Sequence, residues 1–224
     1  MNYAALVVAI SDYTENTFQT VDVNLFITQA EQRIYNSVQF PSIRKNVTGT
    51  ITASNKYLSA PDDFLATYSL AIFSGSGPYT FLLNKDVNFI REAYPTPTDT
   101  GTPKYYALFG PTTTAGPPSL PTNELSFILG PTPDATYSAE LHYYYYPESI
   151  TTVASGQTWL GDNFDTVLLY GALIEAYTYM KGEQDLIALY DGKYKEALIL
   201  AKRLGDGMER QDAYRSGQYR QAVT

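Results

Sequence analysis

Near the start of the chain Leu6, Val7 and Ile10 share a short apolar face. Leu25, Phe26, Ala30, Ile34 and Val38 then recur at helical spacing. The pattern predicts two helices within residues 1–43. Asn24 opens the second, Gln29, Glu31, Gln32 and Arg33 form its polar side, and Pro41 stops it.

From residue 44 to 150 the pattern changes. Nine of the 13 prolines lie between Pro95 and Pro133, which excludes long helices there. Apolar and β-branched residues cluster instead in short segments at 47–53, 65–73, 78–83, 104–109, 124–129 and 136–145, separated by turn residues such as Gly75-Ser76-Gly77. A short helix is predicted at 86–93, where Phe89, Ile90 and Ala93 share a face ahead of Pro95. The stretch 110–122 reads as a loop.

Helical spacing returns over residues 162–204. Asp162 or Asn163 is placed to cap the first helix by accepting backbone N–H bonds. That helix is apolar on nearly every side, and Leu168, Leu169, Leu173, Ile174 and Tyr177 are candidates for core or oligomer contact. A helix of this kind must be covered all round, and the expectation is that neighbouring copies of the chain share in covering it. Gly182 breaks the run. In the second helix Leu186, Tyr190, Tyr194, Ala197, Leu198, Ala201 and Leu204 follow spacings of three and four, and Gly205 closes it.

The fold class expected is α+β. Both chain ends, 1–43 and 151–204, form a helical bundle. An inserted β-rich domain, sandwich or barrel-like, occupies 44–150, and 205–224 is an extended C-terminal tail. A chain of 224 residues is long enough to bury a sizeable core.

Composition adds mostly exclusions. There is no cysteine, so no disulfide framework and no thiolate chemistry. The formal net charge of −8 argues against a phosphate-tracking surface. MNYAALVVAI lacks the positive start of a signal peptide. The apolar run 164–180 is interrupted by Asp165 and Glu175 and falls short of the roughly 20 residues that span a bilayer. A soluble protein made in the cytoplasm, without membrane association, is expected.

The residues that carry chemistry elsewhere have no supporting company here. A single histidine, His142, does not make a zinc site, and it sits in a strand pattern. Asp62-Asp63 follows Pro61 and reads as a turn, while Asp162 and Asp165 suit a helix N-terminus. Gly75-Ser76-Gly77 is followed by Pro78 and cradles no phosphate. The expectation is a protein with no catalytic residues, no metal and no cofactor. The 21 tyrosines are unusual. Tyr143-Tyr144-Tyr145-Tyr146 alternates faces in a strand, so one pair is expected in the core and the other at a subunit interface. Trp159 reads as an apolar staple just ahead of a helix cap. In the tail, Arg210, Arg215 and Arg220 balance Asp206, Glu209 and Asp212, and Tyr214, Arg215 and Tyr219 have the character of interface anchors.

Trp159 to Glu183, with the closing DAYRSGQ at 212–218, resembles the head-to-tail adaptor (connector) proteins of tailed bacteriophages. FITQAEQRIYNSVQFPSIRKN at 26–46, YLSAPDDFLA at 57–66 and FIREAYP at 89–95 share that resemblance. It implies a ring, twelvefold to match the portal, that docks beneath the portal protein in the virion neck. It also implies contact with a downstream tail or neck protein, and passage of DNA without sequence-specific binding. The same resemblance places the C-terminal segment against the portal, making Arg210, Tyr214, Arg215, Gln218 and Tyr219 candidates for portal or subunit contact. The alternatives are a tail-tube or stopper protein, or a carbohydrate-binding tail module using the Tyr-rich β region.

Overall fold

The computed structural model describes residues 1–96, 98–110 and 125–209, with side chains in the last helix through 204. The chain opens with α1 (Tyr3–Thr14) and α2 (Thr20–Ser37), and a 3-10 turn at Pro41–Ile43 leads into β1 (Arg44–Ile51). Next come β2 (Tyr57–Ser59), β3 (Ala66–Phe73), β4 (Thr80–Phe81), β5 (Leu83–Asn84) and α3 (Val87–Ala93). β6 (Thr100–Gly101), β7 (Tyr105–Phe109), β8 (Ser126–Gly130), β9 (Thr132–Pro133) and β10 (Tyr137–Tyr144) follow. The last elements are α4 (Trp159–Asn163), α5 (Asp165–Tyr179) and α6 (Gln184–Glu209). The fold is α+β. It divides into two compact units, Met1–Ile43 with the chain from Tyr146 onward, and Arg44–Tyr145.

In the helical unit α5 is the central element. Leu168 and Leu173 are fully buried, and Leu169, Ile174 and Tyr177 are buried as well. The chain's own α1, α2, α4 and α6 pack around this helix. The expectation that neighbouring copies must cover it is therefore corrected: three other long helices suffice. Gly171 lets them approach, since a Cβ there would lie 3.0 Å from the Ala30 Cβ and 3.3 Å from the Tyr194 ring.

Several helix boundaries differ from those expected, each for a local reason. α2 begins at Thr20, before Asn24, whose side chain accepts the Tyr3 hydroxyl at 2.7 Å. It ends at Ser37, ahead of Pro41, with Val38 already extended. Neither Asp162 nor Asn163 is a cap. Thr158 caps α4 by accepting from Gly161 N at 3.2 Å, and Asn163 turns back to donate to the Trp159 carbonyl at 2.8 Å. Trp159 is itself the first residue of α4 and meets the Phe40 ring at 5.2 Å and the Phe164 ring at 5.5 Å. α5 starts after Phe164 with no side-chain cap. Its end coincides with the break at Gly182, whose N–H donates to the Tyr177 carbonyl at 2.9 Å after Lys181 turns left-handed (φ 55°). Gly205 does not close α6, which continues to Glu209. A single helical glycine costs about 1 kcal/mol, too little to end a helix by itself.

Among the described residues the β unit holds two four-stranded sheets, ordered β1-β10-β3-β4 and β2-β8-β7-β5, and a two-stranded pair β6-β9. β10 is central in the first sheet, antiparallel to β1 and to β3. Its register on β3 slips between His142 and Tyr143. Pairings are antiparallel except β5–β7 and β6–β9. The core is shared by the two sheets. Ile51, Leu70, Ile72, Leu141 and Tyr143 come from one, and Tyr106, Phe127 and Leu129 from the other. α3 lies on β7 and β8, close enough that a Cβ at Gly130 would fall 2.8 Å from Ile90. β2 was not among the expected strands. It is three residues long, too short for a visible alternation.

Candidate functional site

The acidic pair at Asp62-Asp63 is divided in role. Asp63 Oδ1 accepts the Tyr143 hydroxyl at 2.8 Å, and its Oδ2 pairs with Lys45 Nζ at 2.8 Å. Burial raises the Asp63 pKa, but the bonds from Lys45 and Tyr143 outweigh it and hold the carboxyl below its ordinary value. The arrangement ties β1 to the turn after β2 and to β10. It stabilises the charged carboxylate. His142 Nε2 lies 3.6 Å from Glu140 Oε1 on the half-exposed outer face of β10. Among the described residues no group of three or more His, Asp or Glu side chains converges to hold a metal ion. No described helix is long and apolar enough to cross a membrane.

The tyrosine run divides by face. Tyr143 is in the core, stacked on Phe64 at 5.9 Å, and Tyr145 packs against it. Tyr144 turns to the other face, where its ring and that of Tyr68 flank the Arg44 guanidinium at 5.8 and 5.4 Å. Tyr146 belongs to the helical unit, where its hydroxyl donates to Asn36 and its ring lies 6.4 Å from Tyr35. A second aromatic cluster binds α1, α5 and α6. Tyr190 meets Tyr177 at 5.2 Å, Tyr170 at 6.1 Å and Tyr13 at 6.4 Å, and Tyr177 donates to the Tyr13 carbonyl. Burial, with the bond to Tyr177, pushes the Tyr190 hydroxyl up to about 12, so it stays neutral.

Glu31 was assigned to the polar side of α2, and the structure corrects this. It is 3% exposed and accepts from Ile150 N at 2.9 Å, fastening the segment that returns from β10 to α2. Burial raises its pKa, and the bonds from Ile150 and Ser149 only partly offset this. The signal was present in the spacing: Ile27, Ala30, Glu31 and Ile34 lie on one helical face. On the same helix Arg33 does reach outward, to pair with Glu175 of α5.

What the helical unit leaves uncovered is apolar in places. Val8, Val21 and Leu25 on α1 and α2, and Leu189, Ile199, Leu200 and Leu204 on α6, are all more than 40% exposed. An open depression lies where the turn after α1 meets the end of α5, lined by Asn16, Phe18, Asp22, Tyr179 and Met180. The Phe18, Phe26 and Tyr179 rings pack beside it. The oligomer or core candidates Leu168, Leu169, Leu173, Ile174 and Tyr177 come together in the α5 core. The candidates Arg210, Tyr214, Arg215, Gln218 and Tyr219 lie outside the described residues.

The helical unit has a central helix walled in by its neighbours and apolar positions on its outer helix faces, and the β unit has an aromatic core. The sequence profile of the SU10 adaptor protein family matches residues 1–222. The chain belongs to that family and is a phage adaptor, a structural component of the virion. No curated protein matches it.

Proposed function

We propose that the chain is a head-to-tail adaptor that forms a ring beneath the portal, joins capsid to tail and leaves a channel for DNA. The observation that carries this is the family match, which extends over residues 1–222 and so takes in both units and the C-terminal segment. Twelve copies would match a portal of the same symmetry. In this reading 1–43 and 146–204 are the adaptor body, 44–145 the interposed β part, and 205–224 the docking tail. Arg210, Tyr214, Arg215, Gln218 and Tyr219 contact the portal or an adjacent subunit, and a downstream neck or tail protein completes the joint. Each subunit presents two different faces to its neighbours, the arrangement that closes a ring. The net charge of −8 per copy discourages DNA from adhering as it passes.

A pull-down with portal-bearing heads tests the reading. The full chain should be retained and the chain lacking 208–224 lost, with both melting at the same temperature. Equal retention of the truncated chain would remove the docking role from the tail, and no retention of either would overturn the adaptor reading.

A further inference from the structure

One end of the helical unit is both aromatic and acidic. There the turn after α1 meets the end of α5 around an open depression of about 540 Å³, within the range of about 300–1,000 Å³ typical of binding sites. Tyr179 lines it and is 55% exposed, its ring held by Phe18 at 6.2 Å and by Phe26 at 5.2 Å. Asp22 lines it as well. Asp12 and Glu15 stand at the end of α1, and Glu183 and Asp185 at the start of α6. Against these five carboxylates the stretches 12–22 and 179–185 hold one cation, Lys181. Glu175, one turn back in α5, is paired with Arg33.

The chain also holds a segment of the opposite chemistry. Residues 213–224 contain the Tyr-Arg pair twice, at Tyr214-Arg215 and Tyr219-Arg220, and no aspartate or glutamate. We propose that Tyr214-Arg215 of one copy seats in the acidic depression of the next, the tyrosine ring against Phe18 and Tyr179 and the guanidinium on Asp22. This inference rests on the ring reading, commits the tail to an adjacent subunit and names the surface that receives it. Charge selects the occupant: arginines without a companion acid meet five carboxylates against one lysine. The aromatic wall suits the same pair, since an exposed tyrosine offers its edge or face to a second ring and its face to a guanidinium. Length selects the copy. α6 starts four residues after Met180, beside the depression, and its 26 residues carry the chain about 39 Å from there. Tyr214 follows Glu209 by five residues, at most about 18 Å of extended chain, so it does not return to its own depression. The two surfaces differ, so the contact is heterologous and repeats from copy to copy until a ring closes.

The absence of cysteine makes the test direct. Chains carrying Thr17→Cys in the depression, Ser216→Cys beside Tyr214-Arg215, or both are assembled on portal-bearing heads and mildly oxidised. The double variant should give a ladder of linked copies, a mixture of the two single variants linked dimers, and either single variant alone neither. Ser216→Cys combined with Gln29→Cys, exposed two turns beyond Asp22 on α2, should give no ladder. In the double variant, adding Tyr214→Ala and Arg215→Ala should lower the ladder yield about tenfold, as expected of interface anchors. Asp22→Asn, which keeps the side-chain shape and removes the charge, should lower it several-fold. Chains that attach to heads but give no ladder overturn the seating and leave the adaptor reading standing. A ladder as strong through Gln29→Cys, or one indifferent to Tyr214, Arg215 and Asp22, overturns the seating too. Chains that do not attach at all overturn the adaptor reading and the seating with it.

Discussion

Helix α5 and strand β1 are the two extremes of this molecule. α5 is apolar almost all round and is enclosed by α1, α2, α4 and α6, with Leu168, Ala172, Leu173 and Ala176 showing no exposed surface. Among the described residues β1 lies at a sheet edge, paired with β10 alone, and six of its eight residues are exposed. The same chain thus spends its apolar surface very unevenly. Where four helices surround one, every direction is a packing direction, and side chains have no polar face to offer. Where a strand closes a sheet, one edge and much of both faces meet water, and only its end, Ile51, enters the core. The stability of the helical unit is therefore concentrated, and that of the β1 region is spread over its ladder with β10 and a few polar ties.

A charge placed at each extreme should break the comparison if it is wrong. Leu173→Asp buries an unpaired carboxylate with no exposed route and should cost more than about 4 kcal/mol, abolishing cooperative folding of the helical unit. Thr48→Lys, mid-strand in exposed β1 and across from Glu140 on β10, should change stability by about 0.5 kcal/mol or less. Chemical denaturation of the two variants measures both, and similar losses would mean that β1 is covered or α5 is not.

Next in size is crowding at the helix crossing. Gly171→Val must push apart Ala30 and Tyr194, and should cost about 2–3 kcal/mol. Gly49→Val on β1 meets open space and should be tolerated with little loss. A melting curve for each checks the contrast.

Glu31 sharpens the comparison through pH. Glu31→Ala leaves the Ile150 N–H without its acceptor and should cost about 1–2 kcal/mol. The folded pKa of Glu31 is raised, chiefly by burial. Its contribution is then full below the ordinary carboxylate range and is lost as pH rises through the raised value. The melting temperature of the natural chain relative to Glu31→Gln should therefore fall as pH rises from the ordinary carboxylate range through the raised value. A natural chain that gains stability relative to Glu31→Gln as pH rises would contradict the assignment.

Asp63 should show the opposite sign and the smallest effect. Its folded pKa is lowered, so its contribution is present above the ordinary carboxylate value and is lost as pH falls through the lowered one. The pair with Lys45 is well exposed and screened. Asp63→Asn should shift the melting temperature by about 2 °C or less at neutral pH. A larger drop would show that β1 depends on this tie more than on its ladder.

Most of the long elements were legible in the chain. The periodicity of α2 and α6, the apolar run of α5 and the strands flanking the proline-rich stretch all follow from local spacing. Short elements and boundaries were less so. β2 exists because it pairs with β8 through Ser59 and Ser126, a partnership nearly 70 residues distant that no local pattern announces. Thr158 caps α4 although Asp162 and Asn163 are good capping residues, because the chain turns into the helix four residues earlier than they stand. Among the polar residues, the turn at Asp62-Asp63 was legible from Pro61. The partners that make Asp63 a tie, Lys45 and Tyr143, come from two other strands.

Glu31 and α5 show where the division falls. Sequence determines which faces are apolar, since the 3.6-residue repeat is a property of the backbone alone. It also determines the absence of thiols, the acidic balance and the placement of tyrosines. Tertiary structure decides what covers each face. It enclosed α5 with helices of the same chain, left Val8 of α1 and Leu200 of α6 in water, and buried Glu31 under a returning segment more than 100 residues away in the chain. Burial is a sum over neighbours from every part of the chain, and a local pattern states only what a face would accept, not which neighbour arrives.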